Sequence, residues 1–238
     1  MKLRRWIKLS LLTGAALLAL VVALAAGGIG YLKWKHLPVI RLDSEKGQAM
    51  LQRRQAVDYL PLKQNWVQQL QMHCCAASAV IVMNSLQPGG GYTQNNLFVP
   101  ATAHIITQSE FYREGSTLEQ LAALVRARSG LTAQHYHAGA GPSENDYSTF
   151  KMHLKRNAAN PNDYMIINYS LVYVGGFGGG GAGHCSPVAA YDEDEDMVLM
   201  LEVAYYRPFW ISAAHLYGAM NTIDTTSNKH RGWLMVTR

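Results

Sequence analysis

The chain holds three cysteines, two of them adjacent in QMHCCAAS (residues 71–78), and nine histidines. A cysteine can serve as nucleophile, metal ligand, half of a disulfide or small buried hydrophobe. Consecutive α-carbons lie about 3.8 Å apart, whereas disulfides usually need roughly 4.4 to 6.8 Å, so Cys74 and Cys75 are a poor pair for each other. Either one can still pair with Cys185. The local pairs His73/Cys74, His135/His137 and His184/Cys185 lack the short gap between paired cysteines that marks a structural zinc site, and no metal site is expected. Cys74 opens an apolar run, and a thiol in the first turn of a helix is acidified by the macrodipole. On position alone, packing remains the simpler reading of the doublet.

A nucleophilic reading needs an imidazole steadied by an acid. In GAGHCSPVAAYDEDEDMVLMLEV two strand-like runs flank the turn Asp192 to Asp196. A hairpin centred on Glu193 or Asp194 makes Tyr191 face Glu195, and in the same register His184 faces Glu202. A carboxylate there would hold one ring nitrogen of His184 and leave the other to take a proton from a thiol. Glu202 sits among apolar neighbours, where an unpaired charge is costly. The glycines Gly176, Gly178 and Gly181 have a GxGxxG spacing, but they precede a strand instead of opening a helix, which argues against a dinucleotide site. Bare backbone beside His184 suits a loop flanking a substrate.

These residues need a helix and a sheet to carry them. CCAASAVIVMNSL, stopped by Gln87-Pro88-Gly89-Gly90-Gly91, predicts a buried helix beginning at or just before Cys74. Ser116 and Glu119 form a capping-box pattern ahead of Leu118, Leu121, Ala122 and Val125, with Gly130 ending that helix. A third helix is expected over Tyr147 to Arg156. After Pro161 come the strand-like runs YMIINYSLVYV, SPVAAY, MVLMLEVAYY and GWLMVTR, with a helix-like ISAAHLYGAM before the last. Helices first and strands later imply an α+β domain with a largely antiparallel sheet.

Between Lys8 and Lys33 no residue is charged, and the 24 residues LSLLTGAALLALVVALAAGGIGYL are long enough to span a bilayer. Lys2, Arg4, Arg5 and Lys8 precede them, which places the rest of the chain on the far side of the membrane. Cleavage near Ala23-Leu24-Ala25 is the competing reading. Residues 1–35 are therefore expected to be an anchor or signal, 36–66 a linker and first wrap, and 67–238 the catalytic domain, exported in either case and periplasmic in a bacterium. The pI of 9.1 is misleading. Seven of the 21 Lys and Arg precede Asp43, leaving 14 bases against 16 acids, so no nucleic-acid partner is expected.

In order along the chain, VQQLQMHCCAASAVIVMNSL, GAGHCSPVAAYDEDEDMVLMLEVA and YGAMNTIDTTSNKHRGWLMVTR resemble the phytochelatin synthases, papain-like cysteine transpeptidases that act on glutathione. The resemblance implies a papain-like fold, with the nucleophile on the helical part and the histidine and acid on the sheet. It puts the nucleophile on Cys74, the base on His184, the oxyanion-hole glutamine on Gln68 and the triad acid on Glu202, where the family pattern has Asp. Asp224 and Arg231 match the positions that hold the α-amino and α-carboxylate groups of the γ-glutamyl moiety, and Gly183 borders the substrate. The implied chemistry releases glycine from glutathione and leaves a γ-glutamylcysteinyl thioester for water or a second glutathione. No bound cofactor is implied; Cd²⁺ or Zn²⁺ would enter as a glutathione thiolate or activator. AYYRPFW is shorter than in the family and Tyr205 replaces an arginine, which Arg207 could offset, so hydrolysis or slow synthesis is favoured. Cys75 has no assigned role, and the oligomeric state stays open, a homodimer included. Two other functions fit the same residues: a papain-like peptidase of other specificity, and an exported thiol or metal binder without turnover.

Overall fold

The structure is a computed structural model that describes residues 39–53, 58–71, 73–142, 144–174, 183–204 and 207–238. The expected membrane span, residues 175–182 of the glycine run and Tyr205 lie outside the described residues. No described helix is long and apolar enough to cross a membrane.

In chain order the elements are β1 (Val39–Arg41), α1 (Glu45–Arg53), α2 (Tyr59–Gln64), α3 (Cys74–Leu86), α4 (Gln108–Glu114), α5 (Leu118–Ser129), β2 (Thr132–His137), α6 (Tyr147–Ala159), β3 (Asp163–Ser170), β4 (Gly183–Asp192), β5 (Met197–Met200), β6 (Phe209–Ser212), α7 (Ala213–Met220), β7 (Ile223–Asp224), β8 (Lys229–His230) and β9 (Gly232–Thr237). Seven strands form one sheet in the order β1-β6-β5-β4-β3-β9-β2, with antiparallel pairing throughout, and β7 and β8 make a separate ribbon. The fold class is α+β, as the order of helices and strands predicts.

The sheet is buried on both faces, and the alternation of β3 shows how. Tyr164 and Ile166 join a core with Ile81 and Val82 of α3 and Leu121 and Val125 of α5. Met165, Ile167 and Tyr169 point into a second core with Phe150 and Leu154 of α6 and Leu216 and Met220 of α7. Helix α3 is apolar on nearly every side because every residue from Ala76 to Met83 is buried.

Helix α3 starts and stops where its composition predicts. Helix α5 ends as expected at Gly130, which is left-handed (φ 69°), but its capping box is one residue later than Ser116/Glu119. Thr117 Oγ1 accepts from Gln120 N at 3.2 Å and Gln120 Oε1 from Thr117 N at 3.0 Å. Ser116 is buried instead, and Glu119 is left free to face β2 and β8. The run after Pro161 pairs as a strand only to Ser170 and then turns into a short 3₁₀ helix at Leu171–Val174. The run from Met197 likewise leaves the ladder after Met200. ISAAHLYGAM divides: Ile211 and Ser212 finish β6, and Ser212 caps α7. The short β1 from residues 36–66 and the polar β2 supply the two edges of the sheet.

Candidate active site

Cys74 is the first residue of α3, and no side chain caps this end of the helix. The positive end of the macrodipole and the first-turn N–H groups therefore face the thiol. Cys74 is the free cysteine among the described residues and is partly exposed. Cys75 is bonded to Cys185 across a separation of 110 residues. The two residues that could not be assigned from sequence thus form a tie, and its ends are the chain neighbours of Cys74 and His184. The bond joins the N-terminus of α3 to β4 at the point where thiol and imidazole must meet.

His184 Nε2 lies 2.6 Å from Glu202 Oε1, leaving Nδ1 for the thiol. His184 is 6 % exposed, so water competes little for either contact. The route to this pair differs from the sequence-based hairpin. The turn is longer, giving Tyr191↔Val198 and Asp192↔Met197 as partners in place of Tyr191 and Glu195. That register by itself would put Glu202 and His184 on opposite faces. A bulge between Val188 and Ala190 inserts Ala189 into β4 and shifts the pairing to Val188↔Met200. Leu201 N then donates to the Pro187 carbonyl at 2.9 Å, and Glu202 reaches His184 diagonally.

Burial disfavours charge on all three groups, and their mutual interactions outweigh it. For Cys74, burial pushes the thiol up, but the charge and hydrogen bond of His184 bring it below its ordinary value. For His184, burial pushes down, while the Cys74 thiolate and then Glu202 raise the imidazole to about 10. For Glu202, burial pushes up and the His184 hydrogen bond and charge carry it below the usual carboxylate range. Each shift favours the charged form of its group, so thiolate, imidazolium and carboxylate support one another.

Several residues not singled out in the sequence hold this acid. Tyr169 is opposite His184 in the ladder and donates to Glu202 Oε2 at 3.2 Å. Ala204 N donates to Glu202 Oε1 at 2.8 Å, and Trp66 Nε1 to the Glu202 carbonyl at 2.9 Å. The segment before α3 docks on the same loop: Gln69 N donates to the Val203 carbonyl at 2.9 Å, and Gln68 Nε2 to the Ala204 carbonyl at 3.0 Å. Gln68 is therefore exposed with one amide proton engaged by Ala204. Gln94, 6 % exposed, clamps this segment, donating to the Gln68 carbonyl at 2.8 Å and accepting from Leu70 N at 2.9 Å. Only the fold brings Gln94 here; no local pattern marks it.

Gly183 precedes His184 and borders Arg231 of the expected clamp. A β-carbon there would lie 3.3 Å from Arg231 Nε and 3.4 Å from Asn168 Oδ1, so only glycine leaves this space open. Arg231 is buried, donating through Nη1 to Thr222 Oγ1 at 2.9 Å and to the Ile223 carbonyl at 2.6 Å. Burial lowers its pKa, opposed by the charge of Asp224. Asp224 accepts from Thr226 N and Ser227 Oγ, both at 3.2 Å. Asn168 Oδ1 is buried without a hydrogen-bond partner among the described residues. His73, although it precedes Cys74, is packed in an aromatic pocket against Tyr112 and Phe111 and takes no part.

A thiol at a helix N-terminus, an imidazole on an antiparallel strand and a carboxylate beyond it define a layout that fits the papain-like class within an α+β fold. The phytochelatin synthase family model matches residues 35–233, and the chain belongs to that family. Among curated relatives, "Glutathione gamma-glutamylcysteinyltransferase 1" of Triticum aestivum is 31% identical over 127 residues, covering 52% of this chain and 24% of the relative. The protein named "Glutathione gamma-glutamylcysteinyltransferase 1" in Arabidopsis thaliana is 32% identical over 98 residues, 40% of this chain and 20% of the relative. "Glutathione gamma-glutamylcysteinyltransferase" of Schizosaccharomyces pombe is 22% identical over 208 residues, 83% of this chain and 48% of the relative. The chain thus spans less than half the length of these relatives.

Proposed function

We propose that this domain transfers the γ-glutamylcysteinyl group of glutathione through a thioester on Cys74. The observation that carries the reading is the sharing of His184 between Cys74 and Glu202, in a chain of this family. The Cys74 thiolate attacks the carbonyl carbon of the Cys-Gly amide. As the C–N bond breaks, His184 gives its Nδ1 proton to the departing glycine amine, and Glu202 keeps the imidazole oriented. The Cys74 N–H and the second N–H of Gln68 Nε2 would stabilise the oxyanion. Arg231 would bind the α-carboxylate as a planar fork, and Asp224 the α-ammonium, with Asn168 Oδ1 a further acceptor beside Gly183. In the second half His184 takes a proton from water or from the amine of a second glutathione, which attacks the thioester and frees Cys74.

Hydrolysis or slow synthesis is favoured over fast polymer formation, because the segment 204–210 departs from the family pattern on the expected acceptor side. An exported location agrees with the Cys75–Cys185 disulfide, since such bonds persist in oxidising compartments. The test is incubation of the full chain with glutathione, with and without Cd²⁺, followed by mass analysis. γ-Glutamylcysteine plus glycine reports hydrolysis, and longer γ-glutamylcysteine chains report synthesis. Both disappear in Cys74→Ser if the reading is right; activity that survives that change, or no product with the wild type, refutes it.

A further inference from the structure

Strand β2 carries two histidines that the acyl-transfer reading leaves unused. His135 and His137 are two residues apart, so they project from the same face of the strand, with ring centroids 5.6 Å apart. Glu119, released from the capping box of α5, comes down on this face. Its Oε1 is 3.1 Å from His137 Nε2 and 3.9 Å from His135 Nε2. One ligand atom from each of the three residues lies within 4.8 Å of the other two.

The tautomer of His137 makes this cluster more than a chance meeting. His137 Nδ1 is 2.6 Å from the His230 carbonyl, which only accepts, so the proton sits on Nδ1. Nε2, the ring nitrogen not held by the backbone, then faces Glu119 Oε1 at 3.1 Å, where both atoms can turn toward one cation. A ring N–H held by a backbone carbonyl is also the usual outer support of a metal-ligating histidine. Glu119 Oε2 is a further buried acceptor with no hydrogen-bond partner among the described residues.

We propose that Glu119, His135 and His137 form a binding site for a divalent transition-metal ion of the zinc class, separate from the Cys74 site. Two imidazoles and one carboxylate are a common donor set for Zn²⁺, with the fourth position left to water or another ligand. Side-chain exposures of 32% for Glu119 and 35% for His135 leave that position open to solvent. Donor atoms must close up by roughly 1 Å to reach bonding distances near 2.1 Å, which the half-exposed His135 and Glu119 can do by small rotations. The Lys229 ammonium, now paired with Glu119, must swing away, and its side chain is 56% exposed. In the sheet, β2 lies three strands from β4, on the order of 14 Å from His184, so this ion would not touch the thiolate. The inference stands whether or not the acyl-transfer reading does.

Co²⁺ titration of the full chain, with its disulfide intact, tests the site by absorption. The expected result is one equivalent bound with visible ligand-field bands and no thiolate charge-transfer band, unchanged in Cys74→Ser. His135→Ala and Glu119→Gln should each weaken binding at least about tenfold. His135 is on an edge strand and partly exposed, so His135→Ala should fold; if its unfolding temperature matches the wild type, any loss of Co²⁺ is a loss of ligand. Equal affinity in His135→Ala, thiolate bands that vanish with Cys74→Ser, or no binding at about 100 μM metal would each overturn the proposal.

Discussion

Replacing Cys75 and Cys185 together by alanine removes the tie between α3 and β4 and leaves Cys74 in place. The bond closes a loop of 110 residues. In the chain-entropy description, a loop of about 100 residues stabilises the folded state by about 4.7 kcal/mol, because the unfolded chain loses that much freedom. For a domain of about 200 residues, 1 kcal/mol is worth about 2–4 °C in unfolding temperature, so the double variant should melt about 10–20 °C below the wild type. Thermal unfolding of the full chain without reductant measures this, and wild type treated with dithiothreitol should fall to the same temperature. Alkylation of the denatured, unreduced wild type should modify one cysteine, Cys74. A second consequence concerns rate, because the bonded residues adjoin Cys74 and His184. Below its melting temperature the variant should lose turnover more than substrate affinity, since small displacements of a nucleophile from its base can cost up to about a hundredfold. A double variant that melts within about 3 °C of the wild type, or three alkylatable thiols in the unreduced protein, would refute the reasoning.

Activity should rise with pH as Cys74 ionises, which its lowered pKa places below the ordinary thiol range, and should fall as His184 loses its proton near pH 10. Because the folded pKa of His184 is raised, the stability it contributes is complete below about 6.5 and lost as pH rises through about 10; that of Glu202, whose pKa is lowered, is present above 4.5 and lost as pH falls through its folded value. Glu202→Gln should move the alkaline limb of the rate profile toward lower pH, and an unmoved limb would exclude Glu202 as the partner of His184. Gln94→Ala removes both bonds that hold the Gln68–Leu70 segment and should lower kcat about tenfold or more with little change in KM; a pure KM effect would contradict its positioning role. Asp58, buried beside Asn157, is raised from 3.8 to about 8, first by desolvation, so it opposes folding increasingly as pH rises through that interval. Asp58→Asn should therefore stabilise the protein at pH 8 by roughly 1–3 kcal/mol, and a lower unfolding temperature at that pH would disprove the assignment.

What could be read from the residues was what depends on near neighbours. The apolar run after Cys74 with its Pro-Gly stop marks α3 and its end, and Gly130 ends α5 because a left-handed position favours glycine. The edge strands were not visible: β1 is three residues long and β2 is polar, and each becomes a strand only because β6 or β9 is there to pair with it. The capping box of α5 was displaced because Ser116 is buried and Glu119 has partners on β2 and β8, neither of which is local. His184 and Glu202 were matched correctly through an incorrect register; the longer turn would have separated them, and Ala189 in a bulge restores the shared face.

By itself, then, the amino-acid sequence determined the inner segments, the buried helix near the thiol and the types of side chain present at the site, because propensity, capping and hydrophobic period act over a few residues. The tertiary structure alone decided that Cys75 bonds Cys185 and that Gln94 and Tyr169 brace the site. It also brought Glu119 to the two histidines of β2. Each of these pairings closes a loop of many residues, and the loss of chain freedom is offset only when the whole core forms.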